Sequence, residues 1–417
     1  MIPKIASLRA REILDSRAVP TVEATVILDD GVTAQASVPS GASVGQYEAL
    51  ELRDGDINRF DGKGVLKAID NIENKIAPKL KHFPIRPQLE IDRLLIEMDG
   101  SNNKSNLGAN AILAVSIACC KAAALSKQVP LYRHIADLYG KAEDQQLKLP
   151  TPIFNLINGG KHGAGNLDFQ EFHIIPSGNK TFFDSLRMAA EIYQATKKVL
   201  TQYQAIHSVG DEGGFAPNLF TNLDALETLK KAIEKTNYRL WHDVFLGLDV
   251  APDCFYQSGK YKIKDKTNPL TATELIEYYV QLNEEYRLLS LEDPLFEDDW
   301  TAWANLTERL NNVMIVGDDL LATNKQRLQE AIDKKACNAI LVKPNQIGTI
   351  AETIEVIKIA KQANWKTIVS HRSGETCDSF IADFAVGVGA DYTKFGAPAR
   401  GERVVKYNRL AEIESQI

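Results

Sequence analysis

Hydrophobic and polar residues alternate along the first forty positions of the chain. Three segments there have the two-residue period of a strand with one buried face: residues 5–14, 21–28 and 32–38. Three segments with a helical period follow: residues 64–76, 88–98 and 106–128. Strands followed by helices in this order are typical of an α+β unit, so we predict an N-terminal α+β domain over residues 1–140.

The pattern changes from Thr151 onward. Eight apolar segments there have the length of buried strands: residues 152–156, 169–175, 244–250, 288–291, 313–316, 339–342, 367–369 and 392–395. From the third segment onward, a helical stretch separates each one from the next. The pattern therefore predicts parallel strands closing into a barrel.

The start of this barrel departs from a simple repeat. Only residues 157–168 separate the first two strands, and they are too few and too rich in glycine for a crossover helix, so we expect an antiparallel pair. Two helices, residues 181–203 and 222–235, then precede the third strand. The predicted fold class is α/β, with a modified TIM-like barrel of order ββαα(βα)6 over residues 141–417.

Composition narrows the class of protein. The hydrophobic fraction of 44% and the charged fraction of 25% are ordinary for a globular protein, and a net charge of −7 argues against nucleic acid as the main ligand. We expect no membrane segment, because residues 109–125, the most apolar run, contain Asn110 and Lys121. Five cysteines without CxxC spacing and no signal-peptide pattern favour a cytoplasmic protein.

Charged side chains recur where the predicted barrel strands end. In such a barrel the active site lies at the carboxyl ends of the parallel strands. Three consecutive strands end in carboxylates and the next three in cations: Asp249, Glu292 and Asp318, then Lys343, His371 with Arg372, and Lys394. An antiparallel second strand would bring Glu171 to the same end, beside His162. Glu212 lies in a glycine-flanked loop that could fold over the rim.

A single carboxylate at a strand end serves equally well as a helix N-cap. Three from adjacent strands repel one another unless a cation holds them, and oxygen ligands suit Mg²⁺. We therefore predict that Asp249, Glu292 and Asp318 bind Mg²⁺.

The cations favour an anionic ligand, and Arg372 with Ser373 suits a phosphate. A lone lysine at a strand end often only extends its amine to water. Lys343 is instead crowded by cations and partly desolvated, so we expect a lowered pKa and a role as general base. A metal facing a lysine suits removal of a proton next to a carboxylate, and Glu212 could then assist a leaving group.

Long motifs across nearly the whole chain carry a family resemblance. They are PSGAS at 39–43, GANAI at 108–112, QEF at 170–172, GDEGG at 210–214, EDP at 292–294, EDDW at 297–300, NQIGT at 345–349, SHRSGET at 370–376 and GAP at 396–398. With these motifs the sequence resembles the enolases. The resemblance implies a glycolytic lyase that reversibly dehydrates 2-phospho-D-glycerate to phosphoenolpyruvate. Lys343 would take the C2 proton, and Glu212 would assist loss of the C3 hydroxyl.

The resemblance also implies two Mg²⁺ ions per active site. Asp249, Glu292 and Asp318 would hold the first, and Ser43 would hold the second together with the substrate. The residues expected at the substrate are His162, Glu171, Glu292, Asp318, His371, Arg372, Ser373 and Lys394. Arg372 and Ser373 would hold the phosphate, and Lys394 the carboxylate side.

Further expectations follow from the same resemblance. They are a homodimer through the N-terminal domain, with an octamer as the larger assembly, and a cytoplasmic location with a secondary cell-surface or secreted pool. Two alternatives stay open: an inactive enolase scaffold that acts as a binding protein, and a related acid-sugar dehydratase or racemase. A nucleotide site at Gly387 and Gly389 has little support.

The sequence departs from the family pattern around the predicted site. Lys161 and Gly163 flank His162, residues 252–254 replace a more typical run after Asp249, and Pro344 follows Lys343. A residue before proline favours extended backbone, which a strand end accepts, so we expect Lys343 to keep its place.

Overall fold

A computed structural model describes residues 2–41, 45–163 and 165–417. Three strands form the predicted N-terminal antiparallel sheet: β1 (Ile5–Leu14), β2 (Pro20–Leu28) and β3 (Thr33–Ser37). Apolar residues of β2 are buried at alternate positions, as expected for a sheet with one face on the core. Ser43, a predicted metal ligand, lies outside the described residues.

Helices cover the buried face of this sheet. They are α1 (Leu66–Asp70), α2 (Ala77–Leu80), α3 (Gln88–Asp99), α4 (Ala109–Lys127) and α5 (Leu131–Tyr139), with one π-helical turn (Asn71–Ile76) between α1 and α2. By length and composition alone, α4 could cross a membrane, but 83% of its most apolar window is buried inside the protein. It packs against β2 and β3, so it is the core helix of this part of the chain.

The second part of the chain is the predicted barrel. Its strands are β4 (Thr151–Asn158), β5 (Glu171–Pro176), β6 (Val244–Asp249), β9 (Ser290–Glu292), β10 (Met314–Gly317), β11 (Ala339–Val342), β12 (Lys366–Ser370) and β13 (Tyr392–Lys394), and a short hairpin, β7 (Tyr256–Gln257) and β8 (Lys260–Tyr261), follows β6. Hydrogen bonds close the eight barrel strands into a ring. β5 runs antiparallel to both β4 and β6, and the other neighbours are parallel. The antiparallel pair predicted from the short connection is confirmed.

Helices surround the barrel in the predicted order. They are α6 (Phe182–Gln202), α7 (Asn222–Glu234), α8 (Ala272–Tyr286), α9 (Trp300–Arg309), α10 (Lys325–Lys334), α11 (Pro344–Ile347), α12 (Ile350–Gln362), α13 (Phe380–Val388) and α14 (Gly401–Glu414). Gly387 lies within α13, where an added Cβ would come within 2.6 Å of the Ile135 side chain. This glycine therefore serves close packing of α13 on α5, and the idea of a nucleotide-binding loop here is wrong.

Residues 140–150 connect the two parts, and we keep the predicted domain boundary within this connection as a proposal. The two parts make direct polar contacts at the end of the barrel where the parallel strands finish, which we call the barrel mouth. Lys121 pairs with Asp378 at 2.6 Å, and the backbones of Ser40 and Gly374 exchange two hydrogen bonds. Segments of the N-terminal part therefore border the barrel mouth.

Asp92 on α3 joins the two parts at a second place. Its carboxylate accepts hydrogen bonds from the Ala351 N–H at 2.9 Å, at the start of α12, and from the Ser116 hydroxyl of α4 at 2.7 Å. The side chain is fully buried, and burial raises the pKa of Asp92 to about 6 against the opposing effect of these hydrogen bonds. An acid of one part thus caps a helix of the other.

We predict that this carboxyl makes stability depend on pH. Because the pKa of Asp92 rises from 3.8 to about 6 on folding, the folded state binds the proton more tightly. Stability from this group is present below pH 4 and is lost as the pH rises through 6, by about 3 kcal/mol. Urea unfolding between pH 4 and 7 should show a smaller loss of stability in Asp92→Asn than in the wild type, because the substitution removes only the contribution of this carboxyl. Asp333→Asn, a change of an exposed acid, should keep the wild-type slope.

Candidate active site

A pocket at the barrel mouth contains most of the predicted site residues. Those that line it are His162, Gln170, Glu171, Glu212, Asp249, Ala251, Asp293, Asp318, Asp319, Lys343, Ser370, His371, Arg372, Ser373 and Lys394. Glu292 is buried next to this pocket, where it pairs with Lys394 at 2.8 Å. Of the predicted set, the structure therefore brings together every residue that falls within the described ranges.

Strand register places the carboxylates side by side. Glu171 at the start of β5 pairs with Asp249 at the end of β6, and Asp249 pairs with Glu292 at the end of β9. Asp318 directly follows β10, the neighbour of β9. Because β5 is antiparallel, its first residue meets the last residue of its neighbour, which adds a fourth acid to the same rim.

Lys394 occupies the centre of these carboxylates. Its Nζ lies 3.2 Å from Glu171 Oε2, 3.1 Å from Asp249 Oδ2 and 2.8 Å from Glu292 Oε1. Burial disfavours the charged amine, but the three carboxylates hold the pKa of Lys394 well above its usual range. One lysine cannot balance all of this negative charge.

The uncompensated negative charge shows in the pKa of Glu292. Burial and the nearby Asp249 and Asp318 raise the pKa of Glu292 well above its usual value, although Lys394 opposes the shift. Carboxylates that repel one another at a buried site suit a divalent cation, and an all-oxygen donor set suits Mg²⁺. Asp249, Glu292 and Asp318 thus fit the predicted metal.

A second acidic group includes two residues that the sequence argument did not single out. Carboxylate oxygens of Asp293, Asp318 and Asp319 lie within 4.8 Å of one another and could hold a metal ion. Burial and Asp318 raise the pKa of Asp319 to about 8. Asp293 accepts hydrogen bonds from the N–H groups of Asp318 and Asp319, at 2.9 and 2.8 Å, and so fixes the backbone that presents them. The available sequence signal was the pair of consecutive acids at the ends of β9 and β10.

Lys343 pairs with Asp318, and this contact overturns one expectation. Burial opposes the charge, but the Asp318 carboxylate raises the pKa of Lys343 above its usual value. The lowered pKa expected from neighbouring cations is therefore wrong for this structure, because the adjacent strand β10 supplies a closer anion. The backbone at Lys343 is extended before Pro344, as predicted, with φ −124° and ψ 105°.

Glu212 lies in the loop between α6 and α7, and hydrogen bonds from two side chains hold its carboxylate. Its carboxylate accepts hydrogen bonds from His371 Nε2 at 3.1 Å and from Asn155 Nδ2 at 3.2 Å. Burial and Glu171 oppose the charge, but His371 and His162 lower the pKa of Glu212 to about 2. Arg403, which the sequence argument missed, donates to His371 Nδ1 at 2.8 Å, so His371 must carry its proton on Nε2.

His162 connects Glu212 with Glu171. Its Nδ1 lies 3.1 Å from Glu171 Oε1 and 3.5 Å from Glu212 Oε1. Burial opposes a charge on this ring, but Glu212 and Glu171 raise the pKa of His162. His173, which was not predicted, places Nε2 2.8 Å from Glu171 Oε2. It therefore contacts the carboxylate oxygen that His162 does not. A histidine two residues along a strand from a site acid is a sequence signal for such support.

Two more missed residues contact the predicted ligands. Gln170 places its amide nitrogen 3.5 Å from Asp249 Oδ2. Glu48, from the N-terminal part of the chain, pairs with Arg372 at 2.8 Å. No local sequence pattern marks Glu48, because it lies 324 residues from its partner.

Comparisons with known proteins agree with this geometry. Residues 5–135 match the family model described as "Enolase, N-terminal domain", and residues 146–417 match "Enolase, C-terminal TIM barrel domain". A protein of a Nitratiruptor species, named "Enolase", is 50% identical over 414 residues, which cover 99% of this chain and 97% of that relative. A closed barrel with acids and lysines at its mouth is typical of an enzyme. The matches show that this chain belongs to the enolase family.

We predict that Glu292→Gln raises the stability of the metal-free protein and weakens its stabilisation by Mg²⁺. The neutral amide removes repulsion with Asp249 and Asp318, so with chelator present the variant should be more stable than wild type, by about 1 kcal/mol. It also removes a proposed ligand, so added Mg²⁺ should raise its melting temperature less than that of wild type. Thermal unfolding in the two conditions measures both effects. A lower melting temperature in chelator would contradict the repulsion.

Proposed function

We propose that the protein reversibly dehydrates 2-phospho-D-glycerate to phosphoenolpyruvate in glycolysis. The observation that carries this proposal is that one pocket holds Lys343, paired with Asp318, together with Glu212, paired with His371. Family membership supports the same reaction. An elimination next to a carboxylate requires a base, a group that assists the leaving hydroxyl, and positive charge to balance the developing carboxylate charge.

Lys343 is the proposed base for the C2 proton. Its amine must be neutral to accept that proton, whereas Asp318 stabilises the charged form in this structure. When Asp318 serves as a metal ligand instead, it no longer stabilises the ammonium as strongly, so we expect the pKa of Lys343 to fall. The neighbouring cations Arg372 and Lys394 then lower it further.

Glu212 is the proposed group that assists loss of the C3 hydroxyl. With a pKa near 2 it is a carboxylate in this structure, so it needs a proton before it can act as an acid. His371 is the nearer histidine, at 3.1 Å, but burial lowers its pKa. His162, whose pKa is raised, has its Nδ1 3.5 Å from Glu212 Oε1 and is the proposed proton carrier. We propose that the two side chains share this proton, while Glu171 keeps His162 in place.

Binding of the substrate anion uses the remaining predicted residues. Arg372 and Ser373 would hold the phosphate, Lys394 the carboxylate side, and His371 would line the pocket. Asp249, Glu292 and Asp318 would hold one Mg²⁺, and Ser43 a second together with the substrate. Mg²⁺ bound there would offset the extra negative charge that forms on the substrate carboxylate when the C2 proton leaves.

We propose a cytoplasmic homodimer formed through the N-terminal domain, with an octamer as the larger assembly and a secondary cell-surface or secreted pool. Family resemblance supports these points. Sedimentation at micromolar concentration tests the assembly, and a monomer alone would contradict it.

The reaction is tested by ultraviolet absorbance of phosphoenolpyruvate. Purified protein receives 2-phospho-D-glycerate with Mg²⁺ and then excess chelator. We expect absorbance to rise and the chelator to stop the rise. No rise from folded protein would favour the inactive scaffold, and a rise that persists in chelator would refute the metal requirement.

We predict that Lys343→Ala abolishes exchange of the C2 proton with solvent. A positioned base contributes about 10²- to 10⁴-fold, so exchange in D₂O should fall at least a hundredfold. Nuclear magnetic resonance of the substrate measures the exchange, and calorimetry should show that Mg²⁺ still binds. Exchange at the wild-type rate would remove Lys343 from the role of base.

We predict a different outcome for Glu212→Gln. The amide cannot carry the proton to the leaving hydroxyl, so formation of phosphoenolpyruvate should fall at least a hundredfold. Exchange at C2 should persist, because Lys343 is unchanged. Equal loss of exchange and elimination would show that the two groups do not have separate roles.

A further inference from the structure

His371 lies between an acid and an arginine, and these two neighbours determine where its proton can be. Its Nε2 lies 3.1 Å from Glu212 Oε2, and its Nδ1 lies 2.8 Å from Arg403 Nη1. A guanidinium can only donate hydrogen bonds. Because an N–H at Nδ1 would place two donors in contact, this geometry excludes both the Nδ1–H tautomer and the imidazolium. The ring is therefore neutral, and its Nε2–H donates to Glu212.

Arg403 is held in place by contacts other than the one with this ring. Its side chain is fully buried, and Nη1 also donates to the Arg372 carbonyl at 2.6 Å. Nη2 donates to the carbonyl of Asp211 at 3.0 Å and to the carbonyl of Ser373. These carbonyls fix the guanidinium independently of His371, so the positive charge beside the ring is permanent.

The imidazole ring is confined as well. The His371 N–H donates to the Lys394 carbonyl at 3.0 Å. A Cβ added at Gly396 would come within 2.8 Å of His371 Cε1 and 3.1 Å of Arg403 Cδ, so both side chains pack closely on this glycine. Such packing leaves little room for the ring to shift away from the guanidinium.

The loop that carries Glu212 is fixed by the same part of the chain. Arg400, which directly precedes α14, donates from Nη1 to the carbonyls of Gly210 and Asp211, at 2.9 and 3.0 Å. The Asp211 carbonyl thus accepts hydrogen bonds from Arg400 and from Arg403 of α14. The start of α14 therefore positions both Glu212 and the histidine that faces it.

The charged groups around His371 act in opposite directions on its proton affinity. Burial lowers the pKa of His371 and Arg403 lowers it further, whereas Glu212 and Glu375 raise it. An imidazolium 3.1 Å from Glu212 would stabilise the carboxylate form of that acid. It would then oppose the transfer of a proton from His162 to Glu212 that the proposed function requires.

We propose that Arg403 is a positioning residue for this reaction: it holds His371 as a neutral Nε2–H donor, which orients Glu212 without delivering a proton to it. The inference rests on the proposed function, which gives Glu212 a role in proton transfer. Of the two histidines that face Glu212, it assigns proton delivery to His162 alone.

Nuclear magnetic resonance of protein labelled with ¹⁵N in its histidine rings tests the proposal in the wild type. The signals of His371 are those that disappear in His371→Gln. We expect them to show the neutral Nε2–H tautomer from about pH 6 to pH 8. An Nδ1–H tautomer or an imidazolium in this range would overturn the proposal, whether or not any Arg403 variant folds.

Arg403→Met should change the protonation of the ring. Loss of the guanidinium removes a neighbouring positive charge and leaves Nδ1 able to bind a proton, so the pKa of His371 should rise by about one pH unit or more. The ratio of kcat at pH 6 to kcat at pH 8 should then be at least about threefold lower than in the wild type. Arg403→Lys keeps the charge and should keep the ring neutral.

Arg409→Met is the matched control, because Arg409 lies on the same helix and pairs instead with Asp383 at 2.7 Å. It should leave the His371 spectrum and the pH profile of kcat unchanged, and melting temperatures show that folded proteins are compared. An unchanged His371 spectrum or pH profile in folded Arg403→Met would overturn the proposal, as would a charged ring in Arg403→Lys. Absence of turnover in the wild type would refute the proposed function instead, and the spectra would still show what Arg403 does to His371.

Discussion

Repulsion among buried carboxylates is the constraint on which the barrel mouth depends. Strand register places Glu171, Asp249 and Glu292 next to one another, and Lys394 lies within 3.2 Å of all three. A lone buried charge costs several kcal/mol, so such a group persists only where cations balance it. The raised pKa of Glu292 shows that Lys394 alone does not suffice. The geometry is that of a site completed by a cation.

The fold brings the repelling carboxylates together and also supplies the residues that hold them in place. Parallel strands bring their ends to one rim, and the single reversed strand β5 adds Glu171 from its start. Outside the acids, a second layer fixes the site: Arg403 sets the proton position on His371, and His173 holds Glu171. Glu48 reaches in from the N-terminal part to hold Arg372. The proposed site therefore includes side chains from both parts of the chain.

Much of the fold could be predicted from the sequence, because the strands and helices follow from the period of apolar residues and from the lengths of the connections. Apolar segments separated by helices predicted the barrel, and the short connection over residues 157–168 predicted the reversed strand. The rim acids and cations were found because each directly follows an apolar strand. Those predictions required only information from residues that are adjacent in the sequence.

The misses share a cause. Arg403 and Glu48 act through partners that are distant in sequence, and no local pattern marks them. The error over the pKa of Lys343 has the same origin, because its sign depends on which neighbour is closest: Asp318 in the structure, and not the cations that the order of strands suggested. Contact distances decide such questions, and a single sequence does not contain them.

The most direct test of the central claim is the count of protons released when Mg²⁺ binds. Calorimetry in buffers of different ionisation enthalpy measures it near neutral pH. Because burial and the neighbouring carboxylates raise the pKa of Glu292 without a metal, we predict net proton release on Mg²⁺ binding in the wild type and less release in Glu292→Gln. Binding without proton release, or equal release in both proteins, would contradict the claim that the carboxylates await a cation.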